Sequence, residues 1–316
     1  MEDTVDASGR SGGDRGFSPL SSAFDGLPGD AAPARVRTDV RRTVLRINED
    51  MAEPAGEETD RLAAEVPVAL EFNGISYAVM LATPSDLEDF ATGFALTEGI
   101  ISRASQIYGM EVGESCDGKG IVISIEISSA SEHALKMRRR SLSGRTGCGL
   151  CGVEALPDAV RPIAAVEADV RVRVSRLFEA LQAMRGRQSL FQATGATHAA
   201  GWADEEGRVH CVREDVGRHN ALDKLIGAMH RQQECDPSSG FALVSSRASF
   251  EMVQKTAAAG IGMLASVSAP TSLAADLAAR LNVALAGFVR ERQCVLYAHA
   301  HRFAVREAMV PEEGAK

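Results

Sequence analysis

Two thiols three residues apart, Cys148 and Cys151, stand in the stretch Thr146-Gly-Cys-Gly-Leu-Cys-Gly152. A C-x-x-C pair serves as half of a zinc site, as a redox dithiol, or as a sulfur-relay thiol with its neighbour. Its reactivity follows the thiolate fraction, which nearby cations and helix N-termini raise. Here Lys136, Arg138, Arg139, Arg140 and Arg145 precede the pair, and a helix start is expected at Gly152. Glycines on both sides and arginines ahead of the pair describe a loop, which argues against two small apolar side chains buried in a core. A structural zinc site wants four thiolate or imidazole ligands, usually as two close pairs. The other cysteines, Cys116, Cys211, Cys235 and Cys294, are isolated. His198, His210 and His219 keep zinc open if they converge on the loop, but a reactive thiol pair fits the residues better.

A second set of polar residues gathers where strands are expected to end. From about residue 198 strands and helices alternate, which implies a mainly parallel sheet with helices packed on it. The hairpin 198–203 and 208–213 turns at 204–207, and helices are expected over 220–234, 249–259 and 272–281. Strands are expected over 241–245, 263–267, 283–289 and 294–297. In such sheets ligands bind at the carboxyl ends of strands, beside helix N-termini. Those ends carry Arg213, Arg218, His219 and Asn220; Ser246, Arg247 and Ser249; Ser268 and Thr271; and the turn from Gly287 through Phe288 and Val289 to Arg290. Arginines, hydroxyls and free backbone N–H groups suit phosphates, and Phe288 could stack on a base. Each cluster alone reads slightly better as a helix cap with its salt-bridging arginine. Four of them on one predicted crevice favour a phosphorylated, nucleotide-bearing ligand.

Upstream, the runs 66–72 and 75–81 are strand-like and flank Asn73-Gly74, a strong hairpin signal because both turn positions need positive φ. Ser85 to Glu88 reads as a capping box opening a helix that Gly99 ends. The helix carries Leu87, Phe90, Ala91 and Phe94 on one face, and Glu88, Asp89 and Glu98 are expected on a solvated one. Alternation over 121–128 describes a half-buried strand. A helix beginning at Ser175 shows Leu177, Phe178, Leu181 and Met184 at core spacing. Residues 1–60 are rich in Gly, Ser, Asp, Ala and Pro and are expected to be largely disordered, with Arg41 to Ile47 a possible edge strand. The resulting division is a tail (1–60), an α+β unit (61–140), a mobile loop region with the C-x-x-C (141–174), an α/β domain (175–305) and a short tail (306–316).

Bulk properties narrow the function further. The 316 residues are 45% apolar and 24% charged, the composition of a globular protein. A net charge of -9 lacks the basic footprint of a nucleic-acid binder. No apolar run is long enough to span a membrane, and no signal peptide is read. Six scattered cysteines do not form a secreted disulfide framework. A reducing cytoplasm is therefore the expected location.

Taken together, the motifs resemble the FdhD family of formate dehydrogenase accessory sulfurtransferases. The resemblance runs from about residue 66 to 298. It rests on Pro67 to Leu81, Thr83-Pro84, Gly93-Phe94, Glu98-Gly-Ile100, Cys148-Gly-Leu-Cys-Gly152, the block 212–224, the block 245–255 and Val267 to Leu273. One departure is Ala196 within Thr194-Gly-Ala-Thr-His198, where the family usually has glycine. The resemblance implies a C-terminal α/β domain similar to cytidine deaminase, with a mixed sheet, preceded by a smaller α+β unit. It implies a sulfur carrier that takes persulfide sulfur from a cysteine desulfurase. The sulfur passes to the molybdenum (or tungsten) bis-guanine-dinucleotide cofactor before that client enters formate dehydrogenase apoprotein. Cys148 matches the persulfide-bearing position and Cys151 is its partner, with no permanently bound metal. Gly287, Phe288, Val289, Arg290, Glu291 and Arg292 match the cofactor-binding turn, and family members are typically homodimers. A zinc nucleoside deaminase would share the fold but needs H-x-E with P-C-x-x-C. No histidine here is followed two positions later by glutamate, and Gly147 stands where that proline belongs. The remaining rival is a non-enzymatic chaperone that binds and delivers the cofactor.

Overall fold

The computed structural model describes residues 37–47, 56–116, 118–142, 163–232, 235–290 and 292–305. The N-terminal unit is a four-stranded sheet of β3 (Val66–Phe72), β4 (Ile75–Ala82), β5 (Ile107–Glu114) and β6 (Ile121–Ile127), in the order β4-β3-β6-β5. The hairpin between β3 and β4 turns where expected: Asn73 and Gly74 both take positive φ, 48° and 73°. Asn73 also closes the far end of β6, accepting from the Ile127 N–H at 2.8 Å and donating to its carbonyl at 3.1 Å. Along β6 the isoleucines at 121, 123, 125 and 127 are buried while the residues between them are not, the two-residue period of a half-covered strand.

Helix α1 (Leu87–Thr97) lies under this sheet, and nearly all of it is buried. It has no capping box. Asp86 precedes it at φ 51° without a side-chain cap, and its carboxylate instead lies 3.5 Å from Arg213. Gly99, at φ 64°, ends the helix as expected. A second helix, α2 (Ser129–Leu142), buries Ser131 and Leu135, one turn apart, on a single face. Ser128 Oγ accepts from the Ser131 N–H at its start.

The C-terminal unit is a six-stranded sheet of β8 (His198–Asp204), β9 (Val209–Asp215), β10 (Gly240–Val244), β11 (Met263–Ser266), β12 (Ala284–Arg290) and β13 (Gln293–Ala298). Its order is β13-β12-β11-β10-β8-β9. The sheet is mixed, as the family resemblance implied, and not mainly parallel as the alternation of strands and helices suggested. Only the pairs β10–β11 and β11–β12 are parallel, because hairpins join β8 to β9 and β12 to β13, and a tight turn forces antiparallel neighbours. One face carries α5 (Arg218–Gln232), α6 (Phe250–Ala258) and α7 (Ser272–Arg280). The other is covered by α3 (Val174–Gly186), which follows the two-residue strand β7 (Val172–Arg173), with the short helix α4 (Ser189–Thr194) after it.

One apolar core runs from the inner face of the four-stranded sheet through α1 and α5 to the six-stranded sheet. The two units are therefore layers around shared packing. The crossing of α1 and α5 is unusually close. A methyl group at Gly93 would lie 1.8 Å from the Asp223 carbonyl oxygen, and one at Gly227 would lie 1.8 Å from that of Asp89. Only glycine fits at either position. The expected disorder over 1–60 is revised at its end, since β1 (Asp39–Leu45) and β2 (Glu57–Ala63) pair as an antiparallel ribbon. Polar and exposed side chains dominate that ribbon, so it shows no apolar period. No helix among the described residues is long and apolar enough to cross a membrane.

Candidate functional site

The expected crevice forms at one edge of the six-stranded sheet. β9 is antiparallel to β8, which is antiparallel to β10, so the carboxyl ends of β9, β10, β11 and β12 share that edge. Backbone contacts then string the loops into a continuous rim. Ala248 bridges Pro270, and the Thr271 N–H donates to the Ala248 carbonyl at 3.0 Å. The Phe288 N–H donates to the Ser268 carbonyl at 3.3 Å. A side chain at Gly287 would press on Pro270 at 2.8 Å and on Tyr297 at 2.9 Å. Glycine there lets the β11 loop lie against β12. Phe288 follows at φ 52° inside a bulge, and the Arg290 guanidinium sits 5.6 Å from its ring centroid. Arg247, Arg290, Thr271 and Arg292 are exposed on this rim.

Polar groups facing the rim are held but not used up. His219 Nε2 lies 2.7 Å from Glu251 and 3.5 Å from Ser249 Oγ. That hydrogen bond holds the Glu251 carboxyl below the usual carboxylate range. Ser249 precedes α6 without a side-chain cap bond, so the first amides of that helix remain open. Thr271, by contrast, caps α7 by accepting from the Ala274 N–H at 3.3 Å. Ser246 is buried and donates to the Arg247 carbonyl. Arg218 Nε is buried with no hydrogen-bond partner among the described residues. His198 is held below its usual range by burial, and then by the positive charges of Arg218 and His219. A buried donor without an acceptor, uncapped helix amides and exposed arginines on one edge fit a phosphorylated ligand.

Three expected ligand residues do something else. Arg213 pairs with Asp89 at 2.8 Å. Asn220 is 3% exposed, and its amide donates to the Leu81 carbonyl at 2.8 Å and to Asp215 at 3.1 Å. Val289 is buried in the core beneath α3. The expected solvated face of α1 is corrected as well. Asp89 is buried between Arg213 and Arg231, and Glu98 pairs with Lys255 at 3.2 Å. Side chains turn inward at these positions because α1 is enclosed by two layers, so its polar residues must find partners.

Beneath these residues lie two buried lysines. Lys224 Nζ meets Asp215 at 2.7 Å and the Thr83 carbonyl at 2.9 Å, with both charged side chains fully buried. Asp215 also accepts from the N–H groups of Thr83 and Gly217. Burial drives the Lys224 ammonium below its usual range, and Asp215 opposes that shift. Lys255 Nζ meets Asp223 at 2.9 Å, Thr97 at 2.9 Å and Glu98 at 3.2 Å. Burial works against its charge, but the two carboxylates outweigh burial and raise it. Both clusters join residues of the N-terminal unit to the C-terminal one.

Cys148, Cys151 and Glu291 lie outside the described residues. The three histidines do not converge, since His210 pairs with Asp204 at the far end of the β8–β9 hairpin from His198. Several residues near the rim went unrecognised in the sequence. Glu251 stands behind His219, and Gln188, Phe191 and Ser245 join His198 in lining a cavity beside the rim on the α3 side. Thr194 to His198 was a local signal for that cavity, because it combines Gly195 at φ 69° with hydroxyl and imidazole groups.

Comparison with known proteins agrees with this architecture. Residues 63–304 match the model of the FdhD/NarQ family. A sulfur carrier protein FdhD from Bordetella petrii is 56% identical over 275 residues, covering 87% of this chain and 98% of the relative. The protein of that name from Cupriavidus necator is 56% identical over 243 residues, covering 77% and 83%. A solved formate dehydrogenase accessory protein from Desulfotalea psychrophila superposes with a TM-score of 0.64 at 22% identity, over 84% of this chain and all of that one. At that identity the superposition speaks to the fold. On the family match and the identities, this chain belongs to the FdhD/NarQ family.

Proposed function

We propose that this protein carries sulfane sulfur on Cys148 from a cysteine desulfurase to a guanine-dinucleotide molybdenum or tungsten cofactor destined for formate dehydrogenase. The observation that carries the reading is the Cys148-Gly-Leu-Cys151 pair inside a family match whose relatives are named sulfur carriers. In loading, the Cys148 thiolate attacks the outer sulfur of the donor's persulfide. A new S–S bond forms on Cys148 as the donor's S–S bond breaks, and the donor leaves as its thiolate. If Cys151 then attacks the inner sulfur, sulfide departs and a Cys148–Cys151 disulfide remains. A thiol reductant must then reset the pair.

The rim supplies the client site in this reading. Arg218, Arg247 and Arg290 meet the cofactor's phosphates together with the open amides at Ser249, and Phe288 offers a face to a ring. The cofactor is the substrate, and these residues hold and orient it while the thiol pair reaches it.

Intact-mass spectrometry after incubation with a cysteine desulfurase and cysteine tests the reading. Wild type is expected to gain about 32 Da, one sulfur, and Cys148→Ala to gain nothing. If active desulfurase loads neither protein, the carrier reading fails and a cofactor-binding chaperone takes its place.

A further inference from the structure

A groove with a volume of about 480 Å³ opens where the end of α1, the start of β5, α2 and the end of α6 meet. Leu96, Ile100 and Ile101 are buried beneath it, and Ala130, Ala134 and Ala258 give it small apolar sides. Its polar groups are already committed. Gln106 Oε1 accepts from the Ser102 N–H at 2.7 Å, the Ser102 hydroxyl at 2.9 Å and the Arg103 N–H at 3.1 Å. Gln106 Nε2 donates to Ser131 Oγ at 3.2 Å. A small polar ligand finds little to bond there, whereas the apolar side chain of a protein partner finds space and disturbs none of these bonds.

Two large exposed side chains flank the groove. Tyr108, two residues beyond Gln106, is 70% exposed, and Met137, three beyond Ala134, is 52% exposed. Helix α2 turns Ser131 and Leu135 into the core and leaves Ala130, Ala134 and Met137 exposed at helical spacing. Aromatic and methionine side chains around small ones form a surface of the kind that anchors a protein partner.

Charge and position identify that partner. No Asp or Glu occurs between Glu132 and Glu154, a span that holds Lys136, Arg138, Arg139, Arg140 and Arg145. Lys136 pairs with Glu132, and the four arginines have no acidic neighbour along the chain. In a protein of net charge -9 this stretch is the basic exception, and it complements an acidic surface. It also leads to the thiol pair. Ala134 stands about 12 Å from the end of α2 at Leu142, and the six residues from there to Cys148 span at most about 20 Å. A docked protein with a footprint of roughly 800 Å², about 30 Å across, covers that distance.

We propose that this groove is the docking surface for the protein that donates sulfur, and that the donor presents an acidic segment with an apolar anchor. The anchor seats between Ala130 and Ala134, flanked by Tyr108 and Met137, and the acidic residues answer the basic stretch. The assignment rests on the sulfur-carrier reading above and adds where the donor sits.

The test compares two sulfur donors on the full chain by intact-mass spectrometry. Cysteine desulfurase with cysteine must dock, and glutathione persulfide need not. Ala134→Trp fills the groove from an exposed position, and Tyr108→Ala removes a flanking anchor. Loading by the desulfurase is expected to slow about tenfold in Ala134→Trp and less in Tyr108→Ala. Loading by glutathione persulfide and thermal melting should match wild type in both. Met137→Glu should slow the desulfurase more than Met137→Lys, because only the glutamate repels an acidic partner. Wild-type rates from the desulfurase in Ala134→Trp and Tyr108→Ala would overturn the groove assignment, as would equal slowing with both donors. The opposite order at Met137 would overturn the acidic partner. Failure of wild type to load from an active desulfurase would instead sink the carrier reading on which the assignment rests.

Discussion

Two regions built from the same blocks of sequence put polar residues to opposite uses. In the interior, Arg213, Asp215, Asn220, Asp223, Lys224 and Lys255 satisfy one another and reach across to Thr83, Asp89 and Thr97. On the rim, Arg218, His219, Arg247, Ser249 and Arg290 come from the same or neighbouring turns and leave donors open toward one edge of the sheet. Interior groups cannot exchange partners with water, so each is bound to a specific acceptor or donor. Rim groups can, and they are therefore free for a ligand. A dense polar block such as 212–224 is both a clasp between layers and a binding surface, divided residue by residue according to which way the helix turns.

The largest expected effect comes from breaking the clasp. Lys224→Met removes the cation from a pair with no exposure on either side, leaving Asp215 charged and buried. Loss of one partner of such a pair costs about 3–5 kcal/mol, and urea unfolding of the variant is expected to show it. A loss under about 1 kcal/mol would mean that the backbone donors around Asp215 suffice without the lysine. Lys255→Met should cost less. The Lys255 side chain is 10% exposed and that of Glu98 33%, so water can take over part of the lost charge.

An intermediate effect belongs to the rim and should leave the fold alone. Arg290→Ala is expected to weaken GDP binding about tenfold in calorimetry, in proportion to one charge-assisted phosphate contact. Its unfolding midpoint and its sulfur loading should match wild type. Unchanged affinity would remove the β12 turn from the site, and a lowered midpoint would move Arg290 from the rim to the clasp.

The smallest effect is a pH dependence. Burial, together with Arg218 and His219, lowers the His198 pKa from its ordinary value of 6.5. The folded chain then takes this proton only at lower pH than the unfolded chain does. The stability linked to His198 is fully present above about pH 6.5 and is lost as pH falls through the lowered folded value. His198→Gln should flatten the acid limb of a stability profile measured from pH 8 down to 5, and an identical limb would assign it to other groups.

Much of the scaffold was legible because its signals are local. The Asn73-Gly74 hairpin, the β6 isoleucines and the helices ended by Gly99 and Gly260 depend on φ preferences and on two- or four-residue periods. The misread parts have polar or weak patterns. The β1–β2 ribbon shows no apolar face, α2 has few apolar residues to mark the face it buries, and the capping box at Ser85 gave way when Asp86 turned toward Arg213. For the site, the sequence placed four clusters at one edge. It could not say that Asn220 and Val289 face inward while Arg218 and Phe288 do not.

By itself the sequence determined the family, the thiol pair and the order of most strands and helices of the C-terminal unit, since these rest on residue types and short spacings. The tertiary structure decided which polar residues became clasp and which became rim. That division depends on which layer covers each side chain, and α1 covers α5 only because Gly93 and Gly227 let the two backbones meet. Gln188 belongs to the same lesson. Nothing in its neighbours along the chain distinguishes it from an exposed glutamine, and only the packing of α3 and α4 around it leaves it buried at the wall of a cavity.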